Sequence, residues 1–309
     1  MQPIVSVVVP TYLRPDKVVD LLEALQSLDF AKEAFEVIVV DDGGSSSLEP
    51  LCACSAGLNL RIVTQAHAGP ALARNRGAAC ASGRYLVFSD DDCVPDRNWL
   101  NEFLAVLDRF PEHLVGGRVV NAALANRFSC ASQEIADYLN GYFNANPGQA
   151  RFFPSNNIAM SAKLFQSVGG FHSGFPLAGG EDREFCHRWI RRGFPMTYAP
   201  AAIVHHTHHL TLRSYWRQHF GYGRGARIFR SLAREKGDPV SFERLAFYRG
   251  LLASRAHGSD RAGHGLLIAI SQVAVASGYL RETLRASHSP AVEPELVTAV
   301  QPGVRKAIE

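Results

Sequence analysis

Three consecutive carboxylates, Asp90-Asp91-Asp92, follow Ser89 directly after the strand-like stretch at residues 84–88. Like charges held that close repel one another, and a cation relieves the repulsion. Asp90 and Asp92 stand two apart, so an extended backbone would project both to one side. That spacing suits a hard divalent ion, Mg2+ or Mn2+, with sites left over for a diphosphate. A solvated acidic turn accounts for an isolated triplet equally well, so the other polar residues must decide.

Asp182 is the second candidate, at the start of a helix expected over residues 182–192. The helix dipole there favours an ionised carboxylate, and Gly179-Gly180 lets backbone and substrate come close. Such a carboxylate can act as general base toward a hydroxyl; capping the helix is the commoner task of an acid in that place. His205, His206, His208 and His209 form the third cluster. On a strand His206 and His208 share one side and could supply a metal ligand or a phosphate donor, or be inert surface histidines. Arg213, Arg217, Arg224, Arg227, Arg230 and Arg234 recur at three, four or seven residues, with Tyr215, Trp216 and Tyr222 among them. On a helix they make a basic stripe: a solvated face, a diphosphate contact or a contact with an anionic membrane.

These groups need a frame. Apolar strand signals at residues 4–9, 35–40, 60–64 and 84–88 alternate with helical ones after Pro15 (Val18, Leu21, Leu22, Leu25, Leu28), over 69–81 and over 99–107. Near-continuous apolar strands separated by helices predict a parallel sheet covered on both faces. Ligands of such sheets bind outside the carboxyl ends of the strands. The polar clusters Pro10-Thr11-Tyr12, Asp41-Asp42 and Asp90-Asp91-Asp92 all fall at those ends. Beyond residue 114 a short strand (114–120), glycine pairs and an irregular stretch to Asn157 predict a mixed sheet on the acceptor side. A short helix over 163–168 and a strand over 199–204 follow. After residue 225 the chain turns Arg- and Leu-rich and helical, which divides it into 1–225 and a helical extension, 226–309.

Composition sets few bounds on 309 residues. Hydrophobic content of 47% and charged content of 20% suit a globular protein. A net charge of +3 is too small to imply nucleic acid. Cys52, Cys54, Cys80, Cys93, Cys130 and Cys186 show no metal-binding or Cys-x-x-Cys spacing and read as reduced thiols in a cytoplasmic protein. The N-terminal apolar run ends at Pro10, too short for a signal peptide, and reads as a strand. Residues 265–280 are uncharged but fall short of the ~20 apolar residues that cross a bilayer. They read as a buried helix or one lying in a membrane surface.

Taken in order, these segments resemble inverting glycosyltransferase family 2, over about residues 4 to 225. Val7-Val8-Val9-Pro10-Thr11-Tyr12-Leu13-Arg14-Pro15 is similar to the family's first strand and nucleotide-binding turn. Val39-Val40-Asp41-Asp42-Gly43 resembles the second motif, and the resemblance gives Asp42, with Asp41 as rival, a nucleobase contact. Gly69-Pro70-Ala71-Leu72-Ala73-Arg74-Asn75-Arg76-Gly77 resembles the next, with Arg74 facing the nucleotide. Asp90-Asp91-Asp92 corresponds to the family's Asp-x-Asp, Asp92 as direct metal ligand and Asp90 toward ribose or metal. Gly180-Glu181-Asp182 resembles the acceptor-base motif, with Asp182 as the base. Val204-His205-His206-Thr207-His208 is similar to the His-containing strand, with His206 as a metal or phosphate contact. Gly221-Tyr222-Gly223-Arg224-Gly225 closes the resemblance. Asn156, Asn157, Glu181 and His208 are the acceptor-side residues it implies. Cys93 and His172 depart from the pattern, each standing where relatives often carry an acid.

The resemblance implies an α/β, Rossmann-like, mainly parallel sheet of the GT-A type. It implies Mn2+ or Mg2+, a nucleotide-sugar donor (UDP as the commonest) and a glycan or lipid-linked acceptor in polysaccharide or glycolipid assembly. Placement is expected in the cytoplasm, at the inner face of the membrane if the tail touches lipid. Two rivals remain. A nucleotidyltransferase would carry a Gly-rich first loop, and residues 10–15 hold no glycine. A non-catalytic sugar-nucleotide-binding scaffold would not need Asp90, Asp92 and Asp182 together.

Overall fold

The first strand, β1 (Val5–Thr11), is buried along its whole length, and so is β2 (Phe35–Asp41). Both faces of these strands meet helices. Val5, Val7 and Val9 pack with Val18, Leu21, Leu22 and Leu25 of α1 (Pro15–Gln26) and with Trp99 and Phe103 of α3 (Trp99–Leu107). Val8 faces the other way, toward Ala71 and Ala78 of α2 (Pro70–Cys80). That helix needs small residues, because a Cβ on its Gly77 would overlap the side chain of Val8. A central strand must be apolar on both sides, which is why residues 5–9 lack the polar alternation of a half-exposed one.

The structure is a computed structural model that describes residues 2–44, 57–175, 178–253 and 261–288. The remaining strands are β3 (Leu60–Thr64), β4 (Tyr85–Ser89), β5 (Cys93–Pro95), β6 (Leu114–Asn121), β7 (Asn157–Ser161) and β8 (Met196–His206). The sheet order is β3-β2-β1-β4-β7-β6-β8-β5. β1, β2, β3 and β4 run parallel, as the alternating pattern predicts. β7 lies antiparallel to both β4 and β6, and β5 antiparallel to β8, so the second half is mixed. Pro10, which cannot donate to a ladder, lies beyond the last residue that β4 pairs, Val8.

Two elements differ from expectation. The stretch read as irregular up to Asn157 contains α4 (Arg127–Phe143). Its Asn126 cap accepts from the amides of Phe128 and Ser129. Only Ala131, Ile135 and a few aromatics mark its inner face, too sparse a signal beside Asn140-Gly141. The boundary drawn at residue 225 falls inside α7 (Leu212–Glu235), which continues unbroken. After α5 (Ala162–Val168), α6 (Glu181–Arg191) and α7, the helices α8 (Leu245–Ala253) and α9 (Arg261–His288) complete the described chain.

α9 lies along α7. The helices approach closely because Gly223 faces the Val275 carbonyl and Gly278 faces that of Phe220, where any Cβ would overlap. Half of the arginine stripe turns inward here. Arg224 Nε meets Glu282 Oε2 at 2.7 Å, Arg227 Nε donates to Thr283 Oγ1 at 3.1 Å, and Arg230 lies 4.1 Å over the Phe242 ring. Arg213, Arg217 and Arg234 stay exposed. The four described cysteines, Cys80, Cys93, Cys130 and Cys186, are free thiols; Cys52 and Cys54 lie outside the described residues.

Candidate active site

The turn after β1 reverses sharply into α1. Leu13 sits at φ 57°, the one non-glycine with positive φ among the described residues, and it is half-exposed. Pro15 then opens the helix, where its missing N–H costs nothing. The turn brings two of its side chains onto the acidic triplet. Thr11 Oγ1 donates to Asp91 Oδ2 at 2.6 Å. The Arg14 guanidinium spans Asp91 Oδ1 at 2.7 Å and Asp92 Oδ2 at 2.8 Å.

The triplet itself is a turn rather than an extended strand end. Cys93 N donates to the Asp90 carbonyl at 3.2 Å, so the three acids diverge to three sets of partners. Asp90 goes to Arg74, 2.6 Å away. Asp91, almost wholly buried, is held by Thr11 and Arg14, and burial pushes its carboxyl up to about 7. Asp92 faces His206, with Oδ1 3.2 Å from Nε2. Burial acts to raise Asp92. The His206 hydrogen bond and the charges of His206 and Arg14 outweigh it and bring the group to about 2. Like-charge repulsion is thus relieved side chain by side chain. Expecting Asp90 and Asp92 on one face of a strand misplaced Asp90.

Among the described residues, Asp92, Cys93 and His206 bring donor atoms within 4.8 Å of one another. Asp92 Oδ1 makes no hydrogen bond of good geometry, although it is buried. A carboxylate and an imidazole around such an atom fit a divalent cation, and the Cys93 thiol lies beside them. The histidines divide. His205 turns to Asp96 at 2.8 Å, whereas the His208 ring lies tilted against His206, 4.3 Å between centroids. Both His208 ring nitrogens are buried without a hydrogen bond, and burial, then the His206 charge, drop that ring to about 4.

The second acidic centre lies at the start of α6. Gly179 and Gly180 adopt φ 124° and 96°, which glycine alone tolerates easily, and the helix begins at Glu181. Glu181 is buried and fully engaged: Oε2 accepts from Gly179 N at 2.7 Å, and Oε1 lies 3.4 Å from Arg74 Nη1. Asp182 is half-buried. Its Oδ1 accepts from Arg183 N at 2.7 Å, which leaves Oδ2 for another partner. Burial, then the negative charge of Glu181, lift its carboxyl to about 7.

Arg74 ties the two centres together. It is buried, contacts Asp90 and Glu181, and lies 5.7 Å from the Phe171 ring. Its contacts in the structure are protein carboxylates rather than an open nucleotide face. Asp42 is likewise engaged. Its oxygens accept from Gln65 Nε2 and from the amides of Ala68 and Gly69 at 2.7–2.9 Å, and His67 Nδ1 is 2.9 Å away. Asp41 uses Oδ1 for Gly44 N at 2.8 Å. Asn157 pins the sheet. Its Oδ1 accepts from Trp99 Nε1, its Nδ2 donates to the Arg118 and Ala202 carbonyls, all at 2.9 Å, and it is buried. Those bonds leave it no free group for a sugar. Asn156 differs, for its Oδ1 is buried without a partner.

His67 is the residue that the sequence did not bring out. Its ring stacks on the exposed Tyr12 ring, 4.2 Å between centroids and 24° from parallel, beside Asp42. A histidine two residues before Gly69-Pro70 carries no periodicity that would single it out.

Parallel strands feeding carboxylates to one sheet edge, with a helix N-terminus across from them, make a fold of the GT-A type. A profile of glycosyl transferase family 2 matches residues 6–169, over half of the chain, and the chain belongs to that family. A profile of the N-terminal domain of galactosyltransferase matches residues 141–210. The pre-mycofactocin glycosyltransferase of Mycobacterium tuberculosis is 27% identical over 277 residues, covering 86% of this chain and 56% of that protein. The chain therefore spans little more than half the length of that relative. Glycosyltransferase AglE of Haloferax volcanii is 27% identical over 207 residues, 66% of this chain and 67% of that protein. The mannosyltransferase PcManGT of Pyrobaculum calidifontis, solved with GDP-Man and Mn2+, shares the fold at TM-score 0.62 and 17% identity, over 94% of this chain and 77% of that one. TarS 1-349 of S. aureus, solved with UDP-GlcNAc, does so at TM-score 0.54 and 17% identity, over 93% and 92%.

Proposed function

We propose that this protein is a metal-dependent, inverting glycosyltransferase that moves a sugar from a nucleoside diphosphate to a hydroxyl. The observation that carries this is the pairing of two acidic centres of opposite character, joined through Arg74. Asp92, near 2, is ionised and sits with His206 as a cation site; Asp182, near 7, keeps an oxygen free for proton transfer. Two carboxyls whose surroundings drive them apart take different tasks, here a permanent anion for the cation and a proton acceptor for the hydroxyl.

Asp92 and His206 would hold Mn2+ or Mg2+, which when bound neutralises charge developing on the departing diphosphate. The Tyr12–His67 pair presents an aromatic face for the nucleobase, and Asp42 fixes the loop that carries His67. Asp182 Oδ2 takes the proton of the acceptor hydroxyl as its oxygen attacks the anomeric carbon from the side opposite the diphosphate. The carbon–oxygen bond to the diphosphate breaks in the same displacement, so configuration inverts. Support for a nucleotide-sugar donor comes from the GDP-Man and UDP-GlcNAc complexes of the structural relatives. Uridine diphosphate is the donor nucleotide we favour.

Calorimetric titration of UDP, GDP and dTDP, each with Mn2+ and with EDTA, tests the reading. One nucleotide should bind in the presence of Mn2+ and not in EDTA. No binding of any diphosphate would remove the donor site and with it the transferase reading.

The acceptor we assign is lipid-linked, taken at the inner membrane face by a cytoplasmic protein. Against the expectation that residues 265–280 fall short, α9 includes a longer stretch, Gly263–Ser287, apolar and long enough by composition to cross a membrane, yet one side of it packs on α7. Its other side shows Leu266, Val273, Leu280 and Leu284, all more than half exposed and repeating at seven and four residues. Exposed Leu212, Arg213, Trp216 and Arg217 open α7. An apolar stripe beside exposed guanidinium groups suits the surface of an anionic bilayer. The wild type should float with anionic vesicles and stay down with neutral ones. Val273→Glu with Leu280→Glu should stay down with both and keep nucleotide binding; flotation of that variant would remove the stripe from the role.

A further inference from the structure

Transfer chemistry gives Cys93 no task, yet β5 sets it directly opposite His206 on β8. The Thr207 amide donates to the Asp92 carbonyl at 2.9 Å, which fixes that register. Residues opposite one another on antiparallel strands carry side chains on one face, about 4.5–5.5 Å apart at Cβ. Cys93 thus delivers Sγ to the place where Asp92 and His206 deliver oxygen and nitrogen, all within 4.8 Å. Asp92 is more than nine-tenths buried, with Oδ1 facing His206 but making no hydrogen bond of good geometry, and Cys93 is fully enclosed. Half-exposed Arg14 takes the other Asp92 oxygen, Oδ2, at 2.8 Å, and leaves Oδ1 to the cluster.

The donor types decide which ion such a place prefers. Carboxylate and water ligands suit Mg2+ and Mn2+, whereas a thiolate beside an imidazole selects Zn2+ and its softer relatives. A hard ion would use Asp92 and His206 and leave the thiol as a neighbour. A softer ion gains a third protein ligand. We propose that Asp92, Cys93 and His206 form a three-donor site for a cation of the Zn2+ class, overlapping the position of the transferase ion. Binding breaks the Cys93 S–H bond, forms a sulfur–metal bond and releases the proton to solvent. No change of oxidation state is involved. Zn2+ held this way displaces Mn2+ and arrests transfer, so free zinc acts as a brake that the thiol makes tighter than Asp92 and His206 alone would. The inference rests on the metal-site reading given under Proposed function.

Cd2+, a spectroscopic stand-in for Zn2+, separates the two. Wild-type protein titrated with Cd2+ should develop a thiolate-to-metal charge-transfer absorption in the ultraviolet and release Mn2+ seen as free ion by electron paramagnetic resonance. Cys93→Ser should lose the band and weaken Zn2+ about a hundredfold or more, beyond the scale at which outer-sphere partners act, with Mn2+-dependent nucleotide binding kept. Cys93→Ala serves if serine unfolds this buried position. The other five cysteines remain in each variant, so any band that they give survives the substitution. A band unchanged in both variants, or none in a wild type that binds Mn2+ and nucleotide, overturns the zinc site and leaves the donor site standing. Failure of every divalent ion to bind overturns both.

Discussion

Asp182→Asn is expected to lower turnover by about 10²–10⁴-fold and to leave nucleotide binding intact. The amide is isosteric and keeps an oxygen for the Arg183 amide, so the start of α6 should hold its shape. What it loses is the ability to take a proton. Glu181 cannot stand in, since it is buried against Gly179 and Arg74. The pH dependence follows from the same group. Burial, then Glu181, raise the Asp182 carboxyl to about 7, so it holds its proton below that pH and is a base only above it. Wild-type kcat/KM should rise with pH through a limb near 7, about tenfold per pH unit on the acid side. Steady-state rates measured over that range test both statements. A variant that turned over at near wild-type rate, or that kept the same limb, would take the base role away from Asp182.

Much of the frame could be read from spacing. Apolar runs at residues 5–9, 35–40 and 85–88, broken only by Ser6 and Glu36, left no solvent side, so they had to be inner strands, and the polar residues that ended them had to share an edge. What escaped was whatever depended on contacts distant in sequence. Asp90 and Asp92 look equivalent by spacing, but a turn sends one to Arg74 and the other to His206. Asn157 reads as a polar group available to a sugar until Trp99 and two carbonyls claim all of its bonds. The arginines of α7 look like a solvated stripe because Glu282, Thr283 and Phe242, their partners, lie up to 58 residues away. Local patterns report which face is buried; they do not report which polar group will meet which.

The glycines of α7 show that limit most sharply, and they lead to the second large effect. Gly221, Gly223 and Gly225 each cost a helix roughly 1 kcal/mol relative to alanine, so by local propensity alone every one invites replacement. Tertiary contacts divide them. A Cβ on Gly221 would meet only the Ala178 carbonyl, at 3.5 Å, an ordinary contact. A Cβ on Gly225 would overlap the Gly179 carbonyl, and the Gly225 backbone already lies 2.8–2.9 Å from where a Cβ on Gly180 would stand. α7 therefore rests on the loop that aims Asp182, backbone against backbone, with no flexible side chain to yield. Gly221→Ala should stabilise the protein by up to about 1 kcal/mol and leave the rate alone. Gly225→Ala should destabilise it by about 1–3 kcal/mol through overpacking. It should also cost roughly 10²-fold in kcat, the scale of a 1 Å misplacement of a catalytic group. Thermal unfolding and single-turnover rates of the two variants, measured side by side, decide it. If both alanines stabilise and both enzymes stay fast, α7 is a passive extension. If only Gly225→Ala fails, α7 is part of what positions the base.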